Sequence, residues 1–317
     1  MISGMFPDND IKPTYWTEQI YSALRVPEYP ISGLLFTDLD GTLIQKGSSL
    51  QKSDEFFLKT IGKAGWMRAI VTGRSLDSFH RVFPVFEDLP FDYVIFSSGA
   101  GIIETATEKL VRTVNLTGDA LEKILAVLNQ EQLDYMLHDP APKNTPFHWW
   151  SFGRHNPDFH RRIELYQAVC SPLSTAPDTW HKPAAQVIVI SPPEEFSSRH
   201  YLLKDKLRDF TVVRTTSPLD GRSVWHEIYP NIVSKGQVCE WLRQKLGLNE
   251  LPSIAIGNDY NDWDMLTWAD AAYVVPDAPE ELSRKFLQTP KRNLPPVASV
   301  IHDVLASGGY DLQLDDL

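Results

Sequence analysis

The sequence predicts a doubly wound α/β fold, with a mainly parallel sheet and an α+β module inserted into it. Three observations carry that expectation. Short apolar runs at 34–36, 67–71 and 253–256 read as strands buried on both faces. Stretches with helical apolar spacing follow two of these strands or precede them, as with Phe56, Phe57 and Ile61 within 53–64 and again over 237–246. Between about residues 103 and 228 the texture changes to a mixture of helices and strands, in a span of roughly 125 residues that is normal for one domain.

Composition bounds the function classes. The chain has 317 residues, 43% of them hydrophobic, and a formal charge of −11. That length supports two domains with real cores. The acidic balance argues against a nucleic-acid or anionic-membrane partner, either of which calls for a basic face. A small phosphorylated metabolite stays compatible, because local cations can hold one. Cys170 and Cys239 are too few for a disulfide framework and lack metal-ligand spacing, so both are expected as small buried apolar residues. No apolar run approaches the ~20 residues that cross a bilayer. The start, Met1-Ile2-Ser3-Gly4-Met5, lacks the basic and apolar regions of a signal peptide. A cytoplasmic protein is expected.

Taken in order, residues 1–33 form an N-terminal extension. Trp16, Ile20, Tyr21, Leu24 and Val26 fit a short amphipathic helix between Pro13 and Pro27, packed on the core or on a partner subunit. The 34–36 strand ends in Asp38-Leu39-Asp40-Gly41-Thr42-Leu43. Two carboxylates at the end of a buried strand repel each other in a dry crevice, so a cation is expected between them. Taken by itself, the hexapeptide also reads as a polar turn. Residues 53–64 read as a helix and 67–71 as a strand. Thr72-Gly73-Arg74-Ser75 is a polar turn opening a helix, where a hydroxyl suits either a phosphate oxygen or an N-cap. Residues 92–96 form a further strand, closed by Ser97-Ser98-Gly99-Ala100-Gly101. A dinucleotide-binding loop would need glycine at 104, where Glu104 stands.

Within the module, 116–129, 158–170 and 193–207 read as helices, and 133–137, 186–190, 211–214 and 223–228 as strands. Residues 147–156 are dense in aromatics and polar tips. Trp149 and Trp150 either face a ligand or pack inside, and in a strand at most one of the two faces the ligand. Arg154 or His155 could hydrogen-bond hydroxyls or a second anion there. The chain then returns through Glu227-Ile228-Tyr229-Pro230 to Ser234-Lys235-Gly236. A lysine at a helix start is unfavourable unless something anionic lies close by. A zinc-protease reading of His226-Glu227 fails at Pro230, where a second histidine would be needed. The 253–256 strand ends in Gly257-Asn258-Asp259-Tyr260-Asn261-Asp262. A strand and turn over 269–278, a helix from Pro279, a closing helix over 299–306 and an acidic tail at 311–317 complete the chain.

Four of these stretches, in this order and with a module-sized insertion in the second gap, resemble the motifs of the haloacid dehalogenase superfamily. Glu227-Ile228-Tyr229-Pro230 followed by Ser234-Lys235-Gly236 is similar to the Cof-like phosphatase branch in particular. The resemblance covers nearly the whole chain from Leu34 to about Ser307. It implies a catalytic core of residues 34–102 and 229–317 with a type IIB cap at 103–228. It implies that Asp38 attacks phosphorus to form an aspartyl-phosphate, and that Asp40 is the general acid/base. Thr72 would bind phosphate, Lys235 would neutralise charge, and Asp262 would orient Lys235 or a metal-bound water. Gly73 and Asn261 are expected beside the substrate, with Arg154 reaching in from the cap. Mg²⁺ is expected on Asp38, the Asp40 backbone carbonyl and Asn258. The family has aspartate where Asn258 stands; an amide oxygen still coordinates a hard cation, though without charge. Asp259, one residue on, is the alternative ligand. The implied activity is hydrolysis of a small phosphate monoester, foremost a sugar phosphate. The alternatives are a phosphomutase or phosphotransferase using the same aspartyl-phosphate, and a phosphometabolite-binding protein without catalysis.

Overall fold

The structure is a computed structural model that describes residues 15–24, 30–45, 47–86, 88–173, 180 and 182–309. The first stretch of the chain runs β1 (Trp16–Ile20), β2 (Gly33–Thr37), α1 (Lys52–Lys63), β3 (Trp66–Val71), α2 (Leu76–His80), β4 (Tyr93–Phe96), β5 (Gly101–Glu104) and β6 (Lys109–Leu116). A middle stretch follows with α3 (Gly118–Gln130), β7 (Tyr135–His138), β8 (Phe147–Trp150), α4 (Pro157–Leu165), β9 (Cys170–Pro172), β10 (Val187–Ser191), α5 (Phe196–Lys206), β11 (Phe210–Thr216) and β12 (Val224–Pro230). The chain then returns through α6 (Lys235–Lys245), β13 (Ser253–Gly257), α7 (Trp263–Trp268), β14 (Ala271–Val274), α8 (Glu280–Lys285), β15 (Leu287–Gln288) and α9 (Pro296–Ser307).

β2 lies inside a nine-stranded sheet of order β1-β6-β5-β4-β3-β2-β13-β14-β15, paired in parallel with β3 on one side and β13 on the other. Its five residues are all buried, because helices cover both faces of the sheet. Leu35 points into a cluster with Phe57 and Ile61 of α1 and Ile301 of α9. Leu34 and Phe36 point the other way, onto Val238 and Leu242 of α6 and Met265 of α7. Burying each of these side chains contributes roughly 2 kcal/mol. This two-sided burial is why the strand reads as a continuous apolar run, and why its carboxyl end is held rigidly.

Two expectations change here. Within the stretch 16–26 expected as a helix, Trp16–Ile20 is instead a strand, β1, antiparallel to β6 with Trp16 opposite Leu116. The open backbone edge of β6 satisfies the hydrogen bonds of β1, and pairing with a distant strand overrides a weak local helical pattern. Pro13, Val26 and Pro27 of that expectation lie outside the described residues, as does the tail at 311–317. The β5–β6 hairpin, which the expected boundary at 103 assigns to the inserted module from Ile103 onward, pairs with β4 and β1 in the first sheet. Elements belonging to the second sheet therefore begin with α3.

That second sheet has the order β11-β12-β10-β7-β8-β9. α3 and α5 pack on one face, where Leu121, Leu125 and Leu203 meet Val187, Val189 and Ile228. α4 packs on the other face, where Phe159 meets Met136, Ile188, Ile190 and Trp225. Trp149 and Trp150 point to these opposite faces, and each packs against the interior cluster on its side. Among the described residues, no helix is long and apolar enough to cross a membrane.

Candidate active site

The carboxyl ends of β2, β3 and β13 and the N-terminus of α6 converge on one polar cluster. Asp38 follows β2 directly, its N–H bonded to the Ile256 carbonyl of β13 at 2.9 Å. Lys235 is the first residue of α6, capped by Ser234, whose hydroxyl accepts the Gln237 N–H. The Lys235 ammonium donates to Asp38 Oδ1 and to Asp262 Oδ1, both at 2.6 Å, and all three side chains are almost fully buried. Burial works against the Lys235 charge, but Asp262 and Asp38 outweigh it and hold the ammonium well above the ordinary lysine range. Burial pushes the Asp38 carboxyl up, against the pull of Lys235. Thr42 donates to the second Asp38 oxygen at 3.0 Å. Two carboxylates beside one lysine explain how a cation tolerates a helix start.

Asp40, two residues on, belongs to a different pairing. Arg74 grips both its oxygens, with Nε and Nη2 each at 2.6 Å, in the planar two-pronged arrangement that suits arginine and carboxylate. The sequence shows Arg74 in the turn after β3 but gives it no role. The signal available was a cation two residues beyond the candidate phosphate-binding threonine. Thr72 is buried at that strand end, and its hydroxyl accepts the Arg74 N–H at 3.1 Å. Gly73 adjoins it; a Cβ built there would lie 3.7 Å from Ser98 Oγ and 3.8 Å from Asn261 Nδ2. Asn261 therefore borders the same space. Its Oδ1 is buried without a hydrogen-bond partner among the described residues.

The β13 loop sorts Asn258 from Asp259. Gly41 has φ +78°, and a Cβ on it would fall 2.4 Å from Asn258 Nδ2, so the Asn258 amide lies directly over the loop that carries Asp40. Asp259 turns away instead. Its two oxygens accept the N–H and hydroxyl of Thr216, at 2.8 and 3.0 Å, on strand β11. Asp262 Oδ2 holds the loop from inside by accepting the N–H groups of Asn258 and Asp259.

The second sheet and its loops touch this cluster at several further points. Thr145 bonds Ser75 at 2.8 Å, and Asn144 donates to Ser97 at 2.8 Å. Arg154 is not brought in: it is exposed, within electrostatic range of Arg199 on α5. A different arginine is buried on the α4 face. Arg162 lies 4.1 Å from the Trp225 ring centroid and donates to His138 Nε2 at 3.1 Å. His138 meets that bond as an acceptor, because burial and the Arg162 charge lower its pKa to about 3. Beside it, Glu227 accepts the Tyr229 hydroxyl at 2.9 Å and lies within electrostatic range of Lys235. No local signal marks Arg162, which stands four residues after Asp158 like a surface helical pair.

The donor set fits a hard cation. Asp38, the Asp40 carbonyl and the Asn258 amide offer oxygen, the element preferred by Mg²⁺. Among the described residues, no three histidine, cysteine, aspartate or glutamate side chains form a metal-binding group, so such a site draws on backbone and amide oxygens.

A buried lysine–carboxylate cluster at the strand ends of a doubly wound sheet, roofed by a second sheet, defines a capped α/β hydrolase of the haloacid dehalogenase type. The chain belongs to the haloacid dehalogenase-like hydrolases, whose family model matches residues 35–293. YxeH of Bacillus subtilis, whose name gives it a provisional phosphatase assignment, is 25% identical over 283 residues, covering 86% of this chain and 98% of YxeH. Among solved structures, the subclass IIB sugar phosphatase BT4131 superposes with a TM-score of 0.62 at 15% identity, over 88% of this chain and 99% of its own. BT1666 from Bacteroides thetaiotaomicron gives 0.65 at 17% identity, over 91% and 99%. At these identities the structures establish the shared fold.

Proposed function

We propose that this chain is a Mg²⁺-dependent phosphatase acting on a small phosphate monoester, a sugar phosphate, through an aspartyl-phosphate on Asp38. The observation that carries the proposal is Lys235 bonded to both Asp38 and Asp262 while Arg74 holds Asp40 beside them. Asp38 attacks phosphorus, and the bond from phosphorus to the leaving oxygen breaks as Asp40 delivers its proton to that oxygen. Water then attacks the phosphorus, Asp40 takes a proton from it, and the bond to Asp38 breaks to release phosphate. Thr72 and the N–H groups of the Asp38–Asp40 turn hold phosphoryl oxygens. Lys235 offsets charge, so most of the acceleration comes from positioning and electrostatics. Asp38, the Asp40 carbonyl and Asn258 would hold Mg²⁺, which when bound supplies positive charge to the phosphoryl oxygens. The sugar-phosphate choice is supported by the likeness to the sugar phosphatase BT4131.

The test is a panel of phosphorylated metabolites assayed for free phosphate, with acid-quenched Asp40→Asn protein examined by mass spectrometry. Phosphate release together with a phosphoryl adduct on Asp38 is expected. Full activity in Asp38→Asn would remove the covalent mechanism.

A further inference from the structure

The loop from Asn258 to Asp262 is held by the second sheet as well as by the core. Thr216, the last residue of β11, donates its N–H and its hydroxyl to the two oxygens of Asp259. Arg214 lies two residues back, on the same face of the strand. Its guanidinium is 3.5 Å from the Tyr260 ring centroid and 4.4 Å from that of Phe196 on α5. One strand end thus clasps two consecutive residues of the loop, by hydrogen bonds at Asp259 and by a cation over an aromatic face at Tyr260.

From Asp259 the contacts continue inward without a gap. The Asp259 N–H donates to Asp262 Oδ2 at 3.1 Å, and the Asp259 side chain accepts the Asp262 N–H in return. Asp262 Oδ1 accepts from Lys235, and Lys235 donates to Asp38. A line of hydrogen bonds therefore runs from Thr216 to Asp38. Two other bonds across this seam, Thr145 with Ser75 and Asn144 with Ser97, end at the turns after β3 and β4. They do not join that line.

We propose that Asp259 is a positioning residue: gripped by Thr216, it makes the placement of Asp262 and Lys235 depend on closure of the cap. With the cap lifted, Thr216 leaves, Asp259 loses both donors, and its reciprocal bonds with Asp262 slacken. The site is then fully assembled only when the cap covers it, which couples substrate enclosure to catalytic competence. Such coupling is reciprocal, so whatever orders the loop also favours closure. The consequence for turnover rests on the phosphatase reading above; the clasp itself rests on the geometry.

The test is a double-mutant cycle of Thr216→Val and Asp259→Ala, read by amide hydrogen exchange over 258–262 and by steady-state kinetics. Each single variant is expected to raise exchange in that loop and to lower kcat about tenfold, the size of one hydrogen bond to a charged group, with a smaller change in KM. The double variant is expected to be no worse than the more damaged single, because both changes break one clasp. Multiplying effects in the double variant, or wild-type exchange and kcat in Thr216→Val, would overturn the proposal. Calorimetric Mg²⁺ titration separates the rival role. If Asp259→Ala abolishes binding while Thr216→Val leaves it intact, Asp259 is a metal ligand and the proposal fails. Should Asp259→Ala not fold, Thr216→Val paired with Arg214→Met completes the cycle through the second contact. Wild-type protein that releases no phosphate from any ester would sink the phosphatase reading, while the exchange measurements still decide the clasp.

Discussion

Replacing Arg74 by alanine separates the positioning of Asp40 from the stability of the fold. The pair is well formed, with two bonds of 2.6 Å, yet the side chains of Arg74 and Asp40 are 29% and 46% exposed. An ion pair that open to solvent contributes less than about 1 kcal/mol to folding, so the variant should melt within a few degrees of the parent. Its effect on turnover should be far larger. General acid catalysis by a placed side chain contributes roughly 10²- to 10⁴-fold, and an Asp40 free to rotate forfeits much of that. For an alkyl phosphate, whose leaving oxygen needs the proton, kcat should fall about 10²-fold. For nitrophenyl phosphate, whose leaving group departs without much help, the fall should be within about threefold. Arg74→Lys keeps the charge without the two-pronged grip and should lie between them. The assay is steady-state phosphate release from a series of esters of graded leaving-group acidity. Equal losses across the series would show that Arg74 binds the phosphate rather than placing Asp40. Undiminished turnover of alkyl esters would refute the positioning argument outright.

Three further outcomes are expected. Lys235→Met leaves Asp38 and Asp262 buried together without their cation, so the denaturation midpoint should drop by the equivalent of about 3–5 kcal/mol and activity should vanish. His138 and His226 are held neutral, chiefly by burial and then by neighbouring Arg162 and His200 respectively, with pKa values lowered to about 3. At these two sites the unfolded chain binds more protons, so their contribution is complete above about pH 6.5 and is lost as pH falls towards 3, by roughly 2 kcal/mol per histidine between pH 7 and pH 5. Asp38 and Asp54, raised by burial, act in the opposite sense over the same range. Urea titrations of the parent and of His138→Gln at the two pH values isolate the histidine part, and the same pH dependence in both would contradict it. Asn258→Asp should tighten Mg²⁺ binding in the absence of substrate, measured calorimetrically, since charged oxygens hold hard cations more strongly than amides; unaltered affinity would place the ion elsewhere.

What was legible in the sequence follows from where each interaction is encoded. β2 could be read because two-sided burial leaves an unbroken apolar run, and Asp38 because it directly ends that run. Lys235 could be read because a cation at a helix start is anomalous without an anion nearby. Arg74 could not be given its role, because its partner lies 34 residues earlier and only the parallel pairing of β2 with β3 brings the two turns together. β1 was misread for a related reason: its partner strand is nearly a hundred residues away, so local periodicity carries no trace of the edge that captures it. The aromatic run at 147–150 suggested a ligand surface, yet alternate burial on the two faces of β8 directs Trp149 and Trp150 into packing. Arg154 was favoured by its neighbourhood in sequence, whereas the buried cation, Arg162, sits on a helix whose surface-like spacing disguises it.

The arrangement of charge also bears on the proposed metal. Asp38 and Asp262 share Lys235, Asp40 takes Arg74, and Asp259 is met by the neutral donors of Thr216. Both cations are therefore already engaged by carboxylates before a phosphate arrives. A dianion brought to about 4 Å from one unpaired carboxylate charge would meet repulsion of roughly 8 kcal/mol at an effective dielectric of 20. Side-chain rearrangement cannot offset this without stripping Lys235 or Arg74 from its partner. Positive charge from outside the polypeptide resolves the conflict, and hard oxygens at Asp38, the Asp40 carbonyl and Asn258 are suited to hold it. With Asn258 holding the ion as proposed, an amide in place of a carboxylate removes one negative charge near the phosphate and gives a weaker hold on the ion. The same loop keeps its carboxylate one residue later, where it grips the cap instead. On the proposed reading, the carboxylate of this loop serves the seam with the second sheet rather than the metal.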